Sequence, residues 1–246
     1  MPSFLKPSVQ SLLIEMRVDG MRLSTGTAFV VNSPKGPQLI TNRHNFTGRH
    51  QETGRPLSST GGIPNEVVIW HNRDPQFSWL PVSEPLVNGE TPRWHEHPSL
   101  GALADVVALP LTNLDQVVLY PYELYKETTD FAFGPGDAVS VIGFPFGIPA
   151  GGRLGIWATG FFASEPDVDF EGMPIQLIDC RTRQGQSGSP VLAYRGYGTA
   201  TILKNNSLVS GPIWRFIGIY SGRMNSESDL GKVWKVNAIR ELIESL

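Results

Sequence analysis

Short apolar or alternating runs, rich in β-branched residues, recur along the whole chain between glycine, proline and polar residues. Runs of this length and composition predict strands, whereas a helix needs apolar positions three and four residues apart over a longer stretch. The spacing of the runs is typical of an antiparallel β-barrel or sandwich. The predicted strands are Ser11–Val18, Thr27–Val31, Gln38–Thr41, Glu66–Trp70, Val106–Leu109, Val139–Gly143, Leu154–Phe161, Ile175–Asp179, Pro190–Tyr194, Arg215–Tyr220 and Val233–Val236.

The C-terminal end has helical spacing instead. Its apolar residues recur three and four positions apart, which predicts a helix over Ala238–Leu246. Asn237 directly precedes this segment and is predicted to be its N-cap, because an asparagine oxygen can accept from the free N–H groups of a first helical turn.

Two long segments without strand character organise the rest of the chain. Thr112–Asp137 is rich in proline, tyrosine and charge, and we interpret it as the crossing from a first barrel (residues 8–112) to a second (residues 130–236, with the helix to 246). Thr47–Asn65 is predicted to be a long polar loop, and loops of this kind often shape binding sites.

Composition narrows the class of protein. The 246 residues include 40% hydrophobic and 17% charged side chains, as expected of a folded globular protein. A formal net charge of −3 argues against a nucleic-acid partner. No apolar run is long enough to span a membrane. The chain starts without a secretory signal pattern and has a single cysteine, Cys180, so we expect a cytoplasmic protein without disulfides and a buried thiol.

Ser187 lies in the segment Gly185–Pro190, directly after a predicted strand and a short polar link. Its small neighbours allow a tight turn that leaves the hydroxyl open to a substrate. A serine hydroxyl becomes a nucleophile only when a base removes its proton and donors stabilise the resulting oxyanion. Ser187 is therefore a candidate nucleophile.

His44 and Asp105, which both precede Ser187 in the chain, have the chemistry that such a serine needs. His44 follows a predicted strand, where an imidazole partly open to solvent can shuttle protons. Asp105 opens an apolar strand and could orient that imidazole. Each residue alone also fits an ordinary role, the histidine at the surface and the aspartate as a cap.

Other hydrolase and metal motifs fit less well. The nucleophile elbow of α/β-hydrolases needs glycine two residues after the serine, where this chain has Ser189, and its partners follow the serine. A phosphate-binding loop is not indicated. His95 and His97 have no matching second cluster, so their segment is predicted to be a surface loop and no metal or cofactor is expected.

Six blocks in this order resemble the trypsin-like serine peptidases of the chymotrypsin fold, and in particular the disulfide-free bacterial branch that includes the HtrA-type proteases. The resemblance implies an all-β protein with two six-stranded antiparallel β-barrels and a short C-terminal helix. The blocks are Thr25–Val31, Leu39–His44, Asp105–Leu111, Val141–Pro145, Gly185–Pro190 and Phe216–Gly222.

The resemblance also implies roles for individual residues. His44 would be the general base, Asp105 its orienting partner and Ser187 the nucleophile. The backbone N–H groups of Gly185 and Ser187 would form the oxyanion hole. The edge Tyr220-Ser221-Gly222 would pair with the substrate backbone, and Ser221 would also support the buried aspartate.

Three further positions bear on regulation and specificity. Gln186 stands where zymogen-activated members carry an aspartate that pairs with a new N-terminus, so activation by N-terminal cleavage is not expected. Ser189 replaces a usual glycine, which matters only if the backbone there needs a positive φ. Arg181 corresponds to the base of the primary specificity pocket, with Arg183 and Arg223 as neighbours, which suggests cleavage after acidic side chains.

These observations favour a serine endopeptidase that hydrolyses protein or peptide substrates through an acyl-enzyme. A catalytically silent double barrel that binds proteins is the main alternative, and a hydrolase of non-peptide esters is another. Because the chain ends with the predicted helix, we expect no appended peptide-binding domain and regulation by a partner protein instead.

Overall fold

A computed structural model describes residues 4–125, 130–225 and 227–246. Part of the predicted crossing, residues 126–129, lies outside the described residues. None of the helices in the described part of the chain has the length and apolar character needed to span a bilayer.

The first half forms one seven-stranded antiparallel sheet in the order β5-β4-β1-β2-β3-β9-β8, with β6 and β7 as a separate hairpin. Its inner face packs apolar side chains such as Ile14, Leu39 and Ile69 into one core. The strands are β1 (Leu12–Val18), β2 (Met21–Ser33), β3 (Gly36–Thr41), β4 (Glu66–Arg73), β5 (Ser78–Pro85), β6 (Val87–Asn88), β7 (Thr91–Pro92), β8 (His95–Glu96) and β9 (Val107–Pro110).

The second half contains a closed antiparallel barrel of six strands in the order β10-β11-β12-β17-β16-β13, with β14 and β15 as a hairpin. A 3-10 turn covers Pro145–Gly147. The strands are β10 (Ala138–Gly143), β11 (Ile156–Phe162), β12 (Ile175–Asp179), β13 (Pro190–Arg195), β14 (Ala200–Ile202), β15 (Leu208–Ser210), β16 (Ile213–Arg223) and β17 (Leu230–Lys235).

The predicted architecture is confirmed for the second half, where six strands close a barrel. In the first half a closed six-stranded barrel is not confirmed, since its strands form the seven-stranded sheet. Two of these strands were not predicted. Proline disfavours a strand, and β5 contains Pro81 and Pro85, but β5 is an edge strand, where proline is tolerated. The His95 segment, predicted to be a surface loop, forms β8 at the other edge.

Three helices lie in the described residues: α1 (Pro7–Gln10), α2 (Arg43–Thr47) and α3 (Val236–Glu244). The prediction of Asn237 as N-cap is wrong, because α3 starts at Val236, two residues before the predicted start, and Lys235 holds the cap position. The Asn237 oxygen instead accepts from Arg240. The buried face of α3 packs, with side chains from both halves, into a core between them.

Cys180 lies in the core of the closed barrel, as predicted, and is 2% exposed. Its thiol donates to the Ala158 carbonyl at 3.4 Å. Burial, reinforced by the nearby Asp179 and Asp229 carboxylates, raises the pKa of the Cys180 thiol to about 11. The thiol is therefore protonated at neutral pH and shielded from solvent.

Glu84 on β5 ties the edge of the first sheet to the start of the crossing segment. Its carboxylate accepts from Thr112 N–H at 2.6 Å, Asn113 N–H at 2.9 Å and the Thr112 hydroxyl at 2.8 Å. Arg93 Nη1 adds a contact at 3.3 Å. Burial raises the pKa of Glu84, but these donors together outweigh it and hold the pKa below its ordinary value.

The lowered pKa of Glu84 predicts how stability depends on pH. The unfolded chain binds the proton more readily, so the free energy of unfolding falls as the pH drops below the unfolded value of 4.5 and through the folded pKa. We expect Glu84→Gln to cost about 2 kcal/mol at neutral pH. This deficit should shrink over the acidic window in urea titrations, and a deficit constant from pH 7 to pH 3 would contradict the prediction.

Candidate active site

A cleft of about 540 Å³ lies between the two halves of the chain. His44, Asp105 and Ser187, which are far apart in sequence, all line it. The predicted polar loop borders the same cleft through His50, Glu52 and other residues. The fold therefore brings the three candidate catalytic residues into one cavity.

The imidazole of His44 is bound to a buried carboxylate. His44 Nδ1 lies 2.7 Å from Asp105 Oδ2, and the His44 backbone N–H donates to Asp105 Oδ1 at 3.0 Å. Asp105 is 2% exposed, and Asn42 donates to its carbonyl at 2.7 Å. Both carboxylate oxygens thus contact His44, which fixes the orientation of the ring and favours the tautomer with the proton on Nδ1.

These positions follow from local structure. His44 lies in the short helix α2, which starts two residues after β3 ends. Asp105 comes two residues before β9, and β9 pairs with β3 in register, Thr41 opposite Val107. Because the two strands are neighbours in the sheet, the residues that extend beyond their paired ends meet at the same edge.

Ser187 is anchored through its backbone, and the residue lines the cleft. Its carbonyl accepts from Thr27 N–H at 3.0 Å and Asn45 Nδ2 at 3.3 Å. Among the described residues no hydrogen bond joins the Ser187 and His44 side chains. In unliganded sites such bonds are often long and tighten when the substrate binds.

In the turn around Ser187 the carbonyl groups are hydrogen-bonded, whereas the N–H groups of Gln184, Gly185 and Ser187 donate to no acceptor among the described residues. Every carbonyl oxygen of residues 183–187 accepts a hydrogen bond. The donors to these carbonyls, in chain order, are Gln186 N–H at 3.1 Å, Phe146 N–H at 2.6 Å, the Thr27 hydroxyl at 2.8 Å, Ser189 N–H at 3.0 Å and Thr27 N–H at 3.0 Å.

Gly185 N–H and Ser187 N–H donate to no protein acceptor in the part of the chain that the structure describes. The backbone at Gly185 has φ +94°, and an added Cβ would collide with the Phe144 carbonyl, so this position needs glycine. Two unpaired donors beside a candidate nucleophile form the arrangement that can hold an oxyanion.

Ser189 fits its place without backbone strain. It is not among the described residues with positive φ, so serine costs nothing there relative to glycine in backbone terms. Its hydroxyl packs against Gly143, which has no side chain to meet it.

The predicted substrate-binding residues are only partly brought to the cleft. Tyr220, Ser221 and Gly222 line it on β16. Arg181, by contrast, is exposed and does not line the cleft. In the described residues no hydrogen bond joins Ser221 to Asp105.

Thr182 and Arg183 line the cleft beside the place predicted for Arg181. The Thr182 hydroxyl is bonded to the Tyr220 hydroxyl, and burial raises the pKa of Tyr220 to about 12. Arg183 Nη1 lies 3.7 Å from Asp229 Oδ1. Sequence reasoning missed Thr182 because which of two consecutive residues faces a cleft depends on the local backbone after β12.

An ion pair crosses the cleft between the two halves. Lys232 on β17 binds Glu52 in the polar loop. The hydrogen bond from Lys232 is the main cause of the lowered pKa of Glu52, which keeps the carboxylate charged. The loop is thereby tied to the opposite wall.

Gly188 allows the close contact between the turn and strand β2. Its backbone has φ +88°, and an added Cβ would collide with the Thr27 carbonyl. We expect Gly188→Ala to lower the free energy of unfolding by about 3 kcal/mol, since backbone strain and overpacking add. Gly20→Ala is a matched control because Gly20 has φ +80° and nothing within 4 Å of an added Cβ. Equal losses in urea unfolding would contradict a role for the contact.

Comparisons with known proteins identify the fold. No family model and no curated protein matches the chain. A solved serine endoprotease from Yersinia pestis has a TM-score of 0.53 at 13% identity, over 100% of this chain and 67% of that one. An inactive-form mutant of Rv3671c from M. tuberculosis has a TM-score of 0.50 at 17% identity, over 98% of this chain and 86% of that one. The chain has the fold of the trypsin-like serine proteases.

Proposed function

We propose that this chain is a serine endopeptidase that hydrolyses peptide bonds through an acyl-enzyme. The observation that carries the proposal is the 2.7 Å contact between His44 Nδ1 and the buried Asp105 carboxylate, in the cleft that Ser187 also lines. Such a pair leaves Nε2 as the basic nitrogen, facing a nucleophile.

The proposed reaction uses only groups of the chain and water. Ser187 Oγ attacks the scissile carbonyl carbon while its proton passes to His44 Nε2. The oxyanion that forms accepts from Gly185 N–H and Ser187 N–H. Collapse breaks the C–N bond, and His44 returns the proton to the leaving amine. Water then attacks the acyl-enzyme, giving its proton to His44, and the acid product leaves with Ser187 restored.

Substrate and location are further parts of the proposal. The preference for acidic side chains now depends on Arg183 and Arg223, which line the cleft, because Arg181 does not. A cytoplasmic location stays a prediction and rests on the single cysteine, Cys180.

The test combines an active-serine probe with a peptide library. A fluorophosphonate should label the purified wild-type chain, and a mixed peptide library should show internal cleavage. Cleavage of small esters but not of peptides would favour an ester hydrolase. Labelling in neither purified protein nor lysate would favour the protein-binding alternative, and labelling in lysate alone would indicate that a partner is required.

A further inference from the structure

Gln186, the residue before the candidate nucleophile, makes an unusual set of contacts for a surface turn. It is 1% exposed, and its side-chain Oε1 accepts from Arg183 N–H at 2.7 Å. Its own backbone N–H donates to the Arg183 carbonyl at 3.1 Å. The side chain and the backbone of Gln186 therefore both bind Arg183 and close the turn from residue 183 to residue 186.

We propose that Gln186 is a positioning residue that holds the oxyanion-site donors in place from within their own turn. This inference rests on the proposed function, since it concerns the same site. Gly185 lies inside the closed turn and Ser187 follows it directly. Fixing both ends of the turn fixes the direction of the Gly185 and Ser187 N–H groups, which donate to no acceptor in the described part of the chain.

The neighbouring bonds show why the side chain is needed. Thr27 and Phe146 hold the carbonyls of Gly185 and Gln184 from outside the turn. Within residues 183–187 of the described chain, Arg183 N–H is the only backbone donor that binds a side chain. Without Oε1 this partly buried N–H would lose its acceptor, which favours rotation of the peptide groups beside it.

The chemistry of Gln186 suits a turn that forms without an ion pair. A buried neutral amide costs far less than a buried carboxylate that lacks a cation. The Gln186 Nε2 has no hydrogen-bond partner among the described residues, so only the oxygen is used. A side chain that keeps this oxygen should therefore keep the function.

Gln186→Met tests the role of the oxygen, since methionine has similar length and no comparable acceptor. We expect kcat on a peptide substrate to fall by about 10- to 100-fold with KM within about twofold, because misdirected donors weaken only transition-state binding. The inhibition constant of a peptide boronic acid, whose tetrahedral adduct uses the same donors, should rise in proportion.

Two further variants control for packing. Gln186→Glu keeps an oxygen facing Arg183 N–H, and burial at this position favours the neutral carboxylic acid, so the variant should retain kcat within about threefold. Gln176→Met makes the same change at a residue that is 2% exposed in β12 and does not line the cleft, and it should leave kcat unchanged. If Gln186→Met does not fold, Gln186→Asn replaces it, because the shorter side chain cannot reach Arg183 N–H.

Hydrogen–deuterium exchange over residues 183–187 separates this inference from the proposed function. Suppose that residues 183–187 exchange faster in Gln186→Met than in the wild type, and that no fluorophosphonate labels the wild-type chain. This pair of results would support the positioning role and reject the peptidase. Unchanged exchange with unchanged kcat would overturn the positioning role. A rise in KM without loss of kcat would also overturn it, because Gln186 would then act on substrate binding.

Discussion

Replacing Ser187 with alanine should reduce kcat for peptide hydrolysis by about 10⁶-fold and abolish fluorophosphonate labelling. Alanine removes the only atom of this residue that can bond to the substrate carbonyl carbon. The backbone N–H groups of Gly185 and residue 187 stay in place, so substrate binding should persist. Hydrolysis of a fluorogenic peptide and binding of the same peptide to the variant check both parts.

Ser189→Ala is the matched control for this prediction. Ser189 lies two residues further on, is fully buried, and its hydroxyl has no hydrogen-bond partner among the described residues. We expect this variant to be labelled and active. Residual peptide hydrolysis by Ser187→Ala at more than a hundredth of the wild-type rate would place the nucleophile elsewhere.

Asp105→Asn should lower kcat by about 10⁴-fold without unfolding the protein. The amide has the shape of the carboxylate, and its oxygen can still accept from His44 N–H, as Oδ1 does now. Its NH₂ group, however, would donate to His44 Nδ1 and move the ring proton to Nε2. A ring protonated at Nε2 cannot take a proton from Ser187. Steady-state kinetics and thermal unfolding of the variant test these two expectations together.

The control for this change is Asp115→Asn, which removes an exposed carboxylate in the crossing segment. It should leave both kcat and the unfolding temperature unchanged. If Asp105→Asn lost stability and activity in parallel, the carboxylate would serve the fold and not the orientation of His44.

Sequence reasoning could predict most strands because the signal for a strand is local. β-Branched runs between turn residues need no knowledge of the partner strand, so segments such as β10 and β12 are found at nearly the predicted positions. The edge strand β5 was missed because proline weakens that local signal, while its place at the sheet edge removes the cost.

The residues that shape the site depend on contacts between distant segments, and these could not be predicted. Thr27 binds the turn from β2, 158 residues before the Gly185 carbonyl that it holds. Its hydroxyl has no distinguishing pattern in the sequence. The prediction that Arg181 lines the cleft is wrong for a related reason. Matching a motif gives the position of a residue but not the direction in which its side chain leaves the backbone.

Cys180 gives the chain a built-in reporter of breathing in the barrel that carries Ser187. The thiol is protonated and lies in the barrel core, so a maleimide or disulfide reagent reaches it only after the segment around Cys180, directly after β12, opens away from this core. The rate of thiol modification in native conditions thus counts openings of the protein around Ser187, with no label to attach and no second cysteine to confuse the signal. Ligands that stabilise the cleft would slow this reaction and could be found by it before any substrate is known.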